Sequence, residues 1–464
     1  MKTDNTASYK KGEMITVDIT DFGENGEGIG KTDAFTWFIK DTVIGDKVMA
    51  KVMKTKKSYG YARLESIVKE SPDRIEAKCP VARSCGGCTL QSLDYKAELR
   101  LKQNKVENHL KRIGGFDLSS VEIEEIIGME DPIRYRNKSQ FPFGRKNGKN
   151  ITGYFAGRTH SIVEFDDCII GIEENKTVLQ IVLDFMEKYS VEAYNEEDGS
   201  GIVRHVLIRK GFATGELMVC IVINANNLPH SDKLVESLCA ALGSDLKSVS
   251  ININKKNTNV ILGERTVTLY GNGYIEDYIG DVKFRISPQS FYQVNPVQTK
   301  KLYSKALEYA ALTGKETVWD MYCGIGTISL FLAKSAKFVY GVEIVDAAIQ
   351  NAIENAKINN IENVKFFVGK AEEIITGEYE NGNIRDIDVI VVDPPRKGLD
   401  KLAIDTMLKL LPKRIVYVSC DSSTLARDLK LLCEKEYELK KLTVVDQFAR
   451  SYHTESVVVM SRDI

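Results

Sequence analysis

From Ser287 to the C-terminus, short apolar runs alternate with helical stretches, a pattern that few architectures accept. The runs at 317–321, 338–342, 364–368, 389–392 and 415–419 are rich in β-branched residues and bounded by turn formers, as strands covered on both faces are. Between them, 327–334, 346–358, 401–411 and 424–434 carry apolar residues at helical spacing. The fold class expected is α/β: a Rossmann-like, doubly wound parallel sheet with a terminal strand pair at 441–446 and 455–461. Such sheets place their chemistry at the carboxyl ends of the strands. Val389-Ile-Val-Val-Asp393-Pro-Pro-Arg396 ends one strand in an acidic, proline-stiffened turn. Twenty-seven residues after Asp393, Ile415-Val-Tyr-Val-Ser-Cys420-Asp421 ends another by delivering a thiol. A buried cysteine is more often a small core hydrophobe, so Cys420 needs partners before position alone counts.

The 464 residues, 43% of them apolar, suit about three domains. Residues 1–68 read as short strands broken by glycines (14–19 and 47–53 alternate cleanly), which suits a five-stranded barrel of OB type. There Lys51, Lys54, Lys56 and Lys57 lead into Tyr59 and Tyr61, a mixture suited to phosphates and stacked bases; lysines guarding an edge strand are the plainer reading. Residues 69–286 read as a central α+β domain, with strands at 202–209 and 217–223 and helices at 177–188 and 231–242. It includes a helix over 94–113 that Gly114-Gly115 stop and that suits packing on the sheet domain. Residues 287–464 form the sheet domain. A net charge of −2 announces no polyanion partner, so any polyanion site must be a local patch. The best central candidate is the basic stretch from Arg134 to Arg158, interleaved with Tyr135, Phe141, Phe143, Tyr154 and Phe155. Met1–Ser8 is polar, and no apolar run approaches the ~18 residues that span a bilayer. Nine cysteines without secretion features argue for a reducing cytosol, so a cytoplasmic monomer away from membranes is expected.

Val318-Trp-Asp-Met-Tyr322-Cys-Gly324-Ile-Gly326 runs a strand into a Gly-x-Gly turn that opens a helix, where a backbone can approach a ligand closely. Nineteen residues after Gly324, the next strand ends at Glu343, where a ribose diol would sit. A dinucleotide fold would bring a third glycine, but position 329 is Ser; the acid Asp320 before the turn fits S-adenosylmethionine better than NAD. Tyr322 reads as flanking that cofactor. A methyl donor beside a strand-end thiol suggests methylation of a pyrimidine C5, which is not nucleophilic until a thiolate adds at C6. A base must then remove H5. Tyr452-His453-Thr-Glu455 offers Glu455, with His453 expected on the same strand face as an orienting partner or proton carrier. Asp393 would hold the pyrimidine edge or the cofactor amine, and Arg396 and Lys397 would offset phosphate or ring charge.

A second cysteine set, Cys79, Cys85 and Cys88 with Cys168 at a distance, is spaced to wrap a metal centre. By spacing, Zn(Cys)4 and [4Fe–4S] fit equally well.

Over essentially its whole length the chain resembles the RNA uracil-5-methyltransferase family. Val418-Ser-Cys420-Asp-Ser-Ser-Thr-Leu-Ala-Arg-Asp428 is similar to that family's nucleophile motif, Asp393-Pro-Pro-Arg-Lys-Gly398 to its strand-end acid motif, and Ser290-Phe-Tyr-Gln293-Val-Asn295 to its Phe-x-Gln-Val-Asn segment. The resemblance implies Cys420 as nucleophile and Glu455 as proton acceptor. It also implies Gln293, Tyr322, Gly324, Gly326, Glu343 and Asp393 as S-adenosylmethionine contacts, a barrel of TRAM type, and a [4Fe–4S] cluster on Cys79, Cys85, Cys88 and Cys168 as in the rRNA-directed branch. The implied partner is 23S rRNA, with the thymine-loop uridine of tRNA second, because tRNA-specific members commonly lack barrel and cluster. Where the family carries Phe-Pro-His-Thr before His-x-Glu, this chain has Phe448-Ala-Arg-Ser451, and Thr327 replaces an asparagine after the glycine turn. Two other classes compete. A non-catalytic iron–sulfur RNA-binding protein would not need Cys420, Glu455 and the glycine turn together. A DNA cytosine-5-methyltransferase would carry Pro before its cysteine, whereas here Ser419 precedes Cys420.

Overall fold

Along each central strand of the C-terminal sheet, alternate side chains enter opposite cores. Val318, Val389, Val391, Val416 and Val418 pack on one side, whereas Trp319, Met321, Ile390, Val392, Ile415 and Tyr417 pack on the other. Both faces are therefore covered, which is why these strands read as unbroken apolar runs. The structure, a computed structural model, describes residues 9–33, 35–384 and 386–462; the polar start at Met1–Ser8 lies outside them.

The strands are β1 (Thr317–Met321), β2 (Phe338–Glu343), β3 (Val364–Val368), β4 (Val389–Val392), β5 (Arg414–Ser419), β6 (Glu438–Val445) and β7 (Glu455–Ser461). Their spatial order is β3-β2-β1-β4-β5-β7-β6, with Glu122–Ile123 added outside β6. The first five are parallel, and β7 enters antiparallel to β5. The progression of strand order reverses between β1 and β4, so a crevice opens past the carboxyl ends of these two strands. The helices are α1 (Pro296–Ala310), α2 (Thr327–Ala333), α3 (Asp346–Ile358), α4 (Ala371–Glu380), α5 (Lys401–Leu410) and α6 (Ser422–Leu432). Asn295 caps α1 by accepting the Gln298 N–H at 3.2 Å, with Pro296 in the first turn. Asp421 caps α6 through the N–H groups of Ser423 and Thr424, which starts that helix two residues before the predicted position. Helix α4 is absent from the sequence reading, since Ile374, Ile375, Thr376 and Gly377 all lower helix propensity.

The chain divides into two units. Among the described residues, one holds those up to 102 with 154–163 and 448–452; the other holds the remainder. One core runs across 286/287: Leu207, Met218 and Cys220 share a cluster with Val318 and Val389. Those three lie in a six-stranded sheet ordered Arg265–Gly271, Leu246–Ile253, Leu217–Ile223, Val203–Lys210, Lys138–Lys146, Lys149–Thr152. Helix Tyr95–His109 continues through a wider turn over Leu110–Gly114, and its buried Val106 and Leu110 join the core of α6.

In the first unit, strands Met14–Phe22, Gly28–Thr32, Phe35–Ile39, Tyr59–Lys69 and Lys47–Thr55 close a barrel in that order. Trp37 fills it and donates from its indole N–H to Thr32 Oγ1 at 2.7 Å. Gly30 is required by closeness, as a Cβ there would lie 2.3 Å from the Asp18 carbonyl oxygen. No helix among the described residues is long and apolar enough to cross a membrane.

Candidate active site

The turn after β1 is held from three directions. The N–H groups of Tyr322 and Cys323 both donate to the Val342 carbonyl at 3.0 Å, and Asn355 Nδ2 donates to the Ile325 carbonyl at 3.1 Å. Asn355 Oδ1 in turn accepts the Arg285 N–H at 2.9 Å. Tyr322 adopts φ +74°, rare for a residue with a side chain and of the kind that clusters at functional sites. Gly324 (φ +55°) and Gly326 (φ +83°) need their positive angles for different surroundings. A Cβ on Gly326 would come within 3.2 Å of Ala352 and Phe366, whereas none of the protein lies within 4 Å of one on Gly324. Gly324 thus faces open space at the crevice. Ser329, in place of a third glycine, donates to Asp320 Oδ2 at 2.5 Å, while the buried Oδ1 has no hydrogen-bond partner. Burial, with help from Asp393 and Glu343, pushes Asp320 up to about 7.

Strand pairing brings the thiol and the terminal carboxylate together. β5 and β7 pair Arg414 with Ser461 through Ser419 with Ser456, so one further step in the register sets Cys420 opposite Glu455. Glu455 is 3% exposed, and Val445 of β6 flanks it on the other side. Burial and the nearby Asp393 push its carboxyl well above the usual range, against an opposing pull from Arg396. Asp393 is half-buried, yet loss of hydration raises it to about 7. The half-buried Cys420 thiol is pushed up to about 12 by burial, then by Glu455 and Asp393, and Arg396 again opposes. One cation serving two carboxyls and a thiol makes this a proton-rich site near neutral pH.

The residues after Cys420 hold the acidic loop in place. Asp428 Oδ2 accepts the Tyr417 hydroxyl at 2.8 Å and the Leu399 N–H at 2.7 Å. Thr424 Oγ1 donates to the Arg396 carbonyl at 3.1 Å, and Arg427 donates to the carbonyls of Lys397 and Leu399. The loop from Asp393 to Gly398 is thereby fastened to α6, each neutral bond stabilising by about 1 kcal/mol. Gly398 fits because a Cβ would strike Asp428 Oδ2 at 2.4 Å.

Cys420, Glu455, Asp393, Asp320, Glu343 and the glycine turn are thus joined through strand ends and mutual charge. Gln293 stands before α1: its carbonyl accepts Asn137 Nδ2 at 3.1 Å, and its half-buried amide has no protein hydrogen bond among the described residues. His453 does not share a face with Glu455, since β7 begins only at Glu455; His453 is exposed and Glu455 buried. Sequence reasoning missed Tyr303, buried on α1, whose hydroxyl lies 3.2 Å from Thr327 Oγ1 and which feels the charges of Asp393, Asp320 and Glu455. It carried no signal beyond one more aromatic on a helix.

The central basic stretch is corrected. Tyr135, Phe141 and Phe143 are core residues, unable to stack on bases. Arg134 pairs with Asp167, Arg145 with Glu192, Lys146 with Glu164 and Arg158 with Glu27. On the barrel the plainer reading loses ground. Phe38, Tyr59 and Tyr61 sit half-exposed within 5.9 Å of one another, and Lys54, Lys56 and Lys57 are exposed, with no carboxylate in ion-pair range among the described residues.

Among the described residues no group of three or more Cys, His, Asp or Glu side chains is gathered so as to hold a metal ion. The expected set is divided: Cys79, Cys85 and Cys88 belong to the first unit and Cys168 to the second. All four are half-buried, and Cys85 Sγ accepts the Gly87 N–H at 3.4 Å. As donors they suit a soft metal.

Residues 95–463 match the family model described as tRNA (Uracil-5-)-methyltransferase, and residues 9–64 match that of the TRAM domain. The cysteine turn falls between the two stretches. An uncharacterized RNA methyltransferase of Clostridium acetobutylicum is 49% identical over 453 residues, covering 98% of each chain. One from Halalkalibacterium halodurans is 48% identical over 454 residues with the same coverage. Among solved structures, the Pyrococcus abyssi tRNA (uracil-54, C5)-methyltransferase in complex with S-adenosyl-L-homocysteine superposes with a TM-score of 0.76 at 27% identity, covering 96% of this chain and 100% of that one.

Proposed function

The chain belongs to the tRNA (uracil-5-)-methyltransferase family and is by class an RNA methyltransferase, and we propose that it methylates C5 of a uridine in 23S rRNA using S-adenosylmethionine. The observation that carries this reading is the β5–β7 register, which sets Cys420 against Glu455 with Asp393 in electrostatic reach. Bound S-adenosylmethionine supplies an electrophilic methyl carbon. The open side of Gly324 suits its close approach, Glu343 its ribose hydroxyls, and the exposed Ile344 its adenine face. Tyr322 flanks it, and the free amide of Gln293 is available to its polar end. Cys420 Sγ adds to C6 of the uracil, and the C5=C6 electron pair moves into a C4 enolate. Asp393 holds the pyrimidine edge. After C5 has taken the methyl group, Glu455 accepts H5, the C5=C6 bond re-forms, and the sulfur leaves as thiolate. On the barrel, the Phe38–Tyr59–Tyr61 cluster and its lysines suit stacked bases and phosphates.

The tRNA thymine-loop uridine is the second reading. It is favoured by the likeness to the Pyrococcus tRNA enzyme over 96% of this chain, so the barrel alone does not separate the substrates. The resemblance to the rRNA branch is what assigns Cys79, Cys85, Cys88 and Cys168 to a [4Fe–4S] cluster, and we propose that they bind one with a structural role. Anaerobically purified protein should contain about four irons and four sulfides per chain, absorb near 400 nm, and lose both on Cys85→Ser; zinc without sulfide would refute the cluster. Mapping 5-methyluridine in rRNA and tRNA from a deletion strain tests the substrate. Loss confined to 23S rRNA is expected, and loss confined to tRNA would overturn it.

A further inference from the structure

Three cations of the second unit stand together without a counter-charge. The antiparallel register of Val203–Lys210 with Lys138–Lys146 sets Arg209 directly opposite Lys138, where like charges repel. Arg136 joins them, its Nε donating to the Lys138 carbonyl at 2.9 Å. Nearby cations are paired, Arg134 with Asp167 and Lys210 with Glu174. Among the described residues no carboxylate lies in ion-pair range of Arg136, Lys138 or Arg209. Burial, then the charges of Arg209 and Arg136, push Lys138 down to about 7. Arg209 is 1% exposed; its Nη2 donates to the Ser290 carbonyl at 3.0 Å, but its Nε and Nη1 are buried with no hydrogen-bond partner. Tyr292, in electrostatic reach of Arg209, donates its hydroxyl to Asp277 Oδ2 at 3.3 Å. The trio is joined to the candidate site through the backbone of residues 290–294. Arg209 holds Ser290, and Asn137, between Arg136 and Lys138, donates its N–H to the Val294 carbonyl at 2.8 Å and its Nδ2 to the Gln293 carbonyl at 3.1 Å.

A buried arginine facing a lysine, with no acid to offset either, weakens the fold, and strongly perturbed groups of this kind mark functional sites. What the three lack is an anion. We propose that Arg136, Lys138 and Arg209 form a phosphate site for the RNA backbone, in which the half-buried Lys138 and Arg136 contact a phosphodiester and Arg209 adds its buried charge. This rests on the reading of the reaction as methylation of a uridine in RNA. S-adenosylmethionine does not suit the site: its ammonium offsets its carboxylate, and its sulfonium leaves a net positive charge that would add to the surplus. RNA carries a phosphate on either side of every nucleotide, so a uridine presented to Cys420 brings anions with it. Phosphate contacts fix position and carry no base identity, so the trio places the target nucleotide without choosing its base.

The test uses 5-fluorouridine transcripts of 23S rRNA and of tRNA, whichever the wild type attacks, with S-adenosylmethionine present. For Lys138→Met, the RNA concentration giving half the maximal rate of adduct formation should rise about tenfold, a larger change than that in the saturated rate. The same quantity should depend less steeply on salt, its log–log slope falling by about 0.7 for one lost phosphate contact. Lys138→Arg should keep the wild-type slope. Lys138→Met should melt no lower than the wild type, because one of two opposed charges is gone. S-adenosylhomocysteine affinity, measured by calorimetry, should not change. Arg136→Met carries the same expectations where Lys138→Met does not fold. An unchanged RNA dependence and salt slope would overturn the proposal. So would weaker S-adenosylhomocysteine binding with the RNA dependence intact, which would assign the cations to the cofactor carboxylate. Loss of RNA and cofactor binding together, with a lower Tm, would indicate a structural role and overturn it as well. If the wild type forms no adduct with either RNA, the reading of the reaction falls, and this proposal with it.

Discussion

Cys420→Ala is expected to abolish the covalent adduct with 5-fluorouridine RNA and to lower methylation of uridine RNA by more than about 10⁴-fold, with RNA binding retained. The size of the loss follows from the substrate. Uracil C5 does not attack a methyl group until C6 has received a nucleophile, and Cys420 is the thiol that the β5–β7 register sets beside Glu455. Cys420→Ser should not rescue, because a hydroxyl in a site already crowded with carboxyl groups is far harder to ionise than the thiol. The same crowding sets the pH dependence. Burial, Glu455 and Asp393 hold the thiol up at about 12, so at neutral pH it is un-ionised. The thiolate fraction, and the rate of adduct formation with it, should rise about tenfold per pH unit across the neutral range. Stopped assays at several pH values with 5-fluorouridine RNA measure this. A flat profile, or an adduct on Cys420→Ala, would remove Cys420 as nucleophile.

The sheet was legible because its strands are buried on both faces, and a run such as Val389–Val392 has little alternative. The placement of candidate residues was legible where chemistry coincided with a strand end, at Cys420, Asp393 and Glu343. What holds those residues in place was not. Asp428 looks like any helical acid until the fold brings Leu399 and Tyr417 to its carboxylate. The Arg134–Arg158 stretch shows the opposite failure. Composition suggested a nucleic-acid face, yet Arg134, Arg145, Lys146 and Arg158 meet carboxylates within the protein, and Tyr135, Phe141 and Phe143 fill cores. A linear pattern of charge cannot reveal which carboxylates the fold will supply. Nor does a linear pattern reveal that Leu207 and Val318, far apart in sequence, share one core.

Glu455→Gln should separate chemistry from release most sharply. The variant keeps the shape of the side chain and the β5–β7 register, so Cys420 can still add to C6 and C5 can still take the methyl group. H5 then has no acceptor. Glu455 is 3% exposed, so bulk water is a poor substitute. Methylated RNA should stay covalently bound and resolve about 10²–10⁴-fold more slowly, the usual worth of a positioned general base. Intact-mass measurement of the trapped complex should show RNA with the methyl group already present; an unmethylated adduct, or none, would argue against the role. The carboxyl earns its basicity from burial and from Asp393, which also make it a liability to the fold. A carboxyl raised in the folded state favours folding below its unfolded value and loses that advantage as pH rises through the folded one. For Asp393 that window runs from 3.8 to about 7, and Glu455 is shifted in the same direction. Wild-type stability should therefore fall as pH rises through this range. Glu455→Gln, which cannot ionise, should show a shallower fall and a Tm at neutral pH equal to or above that of the wild type. A variant slower at turnover yet no less stable is the combination that a buried base predicts and a purely structural glutamate does not.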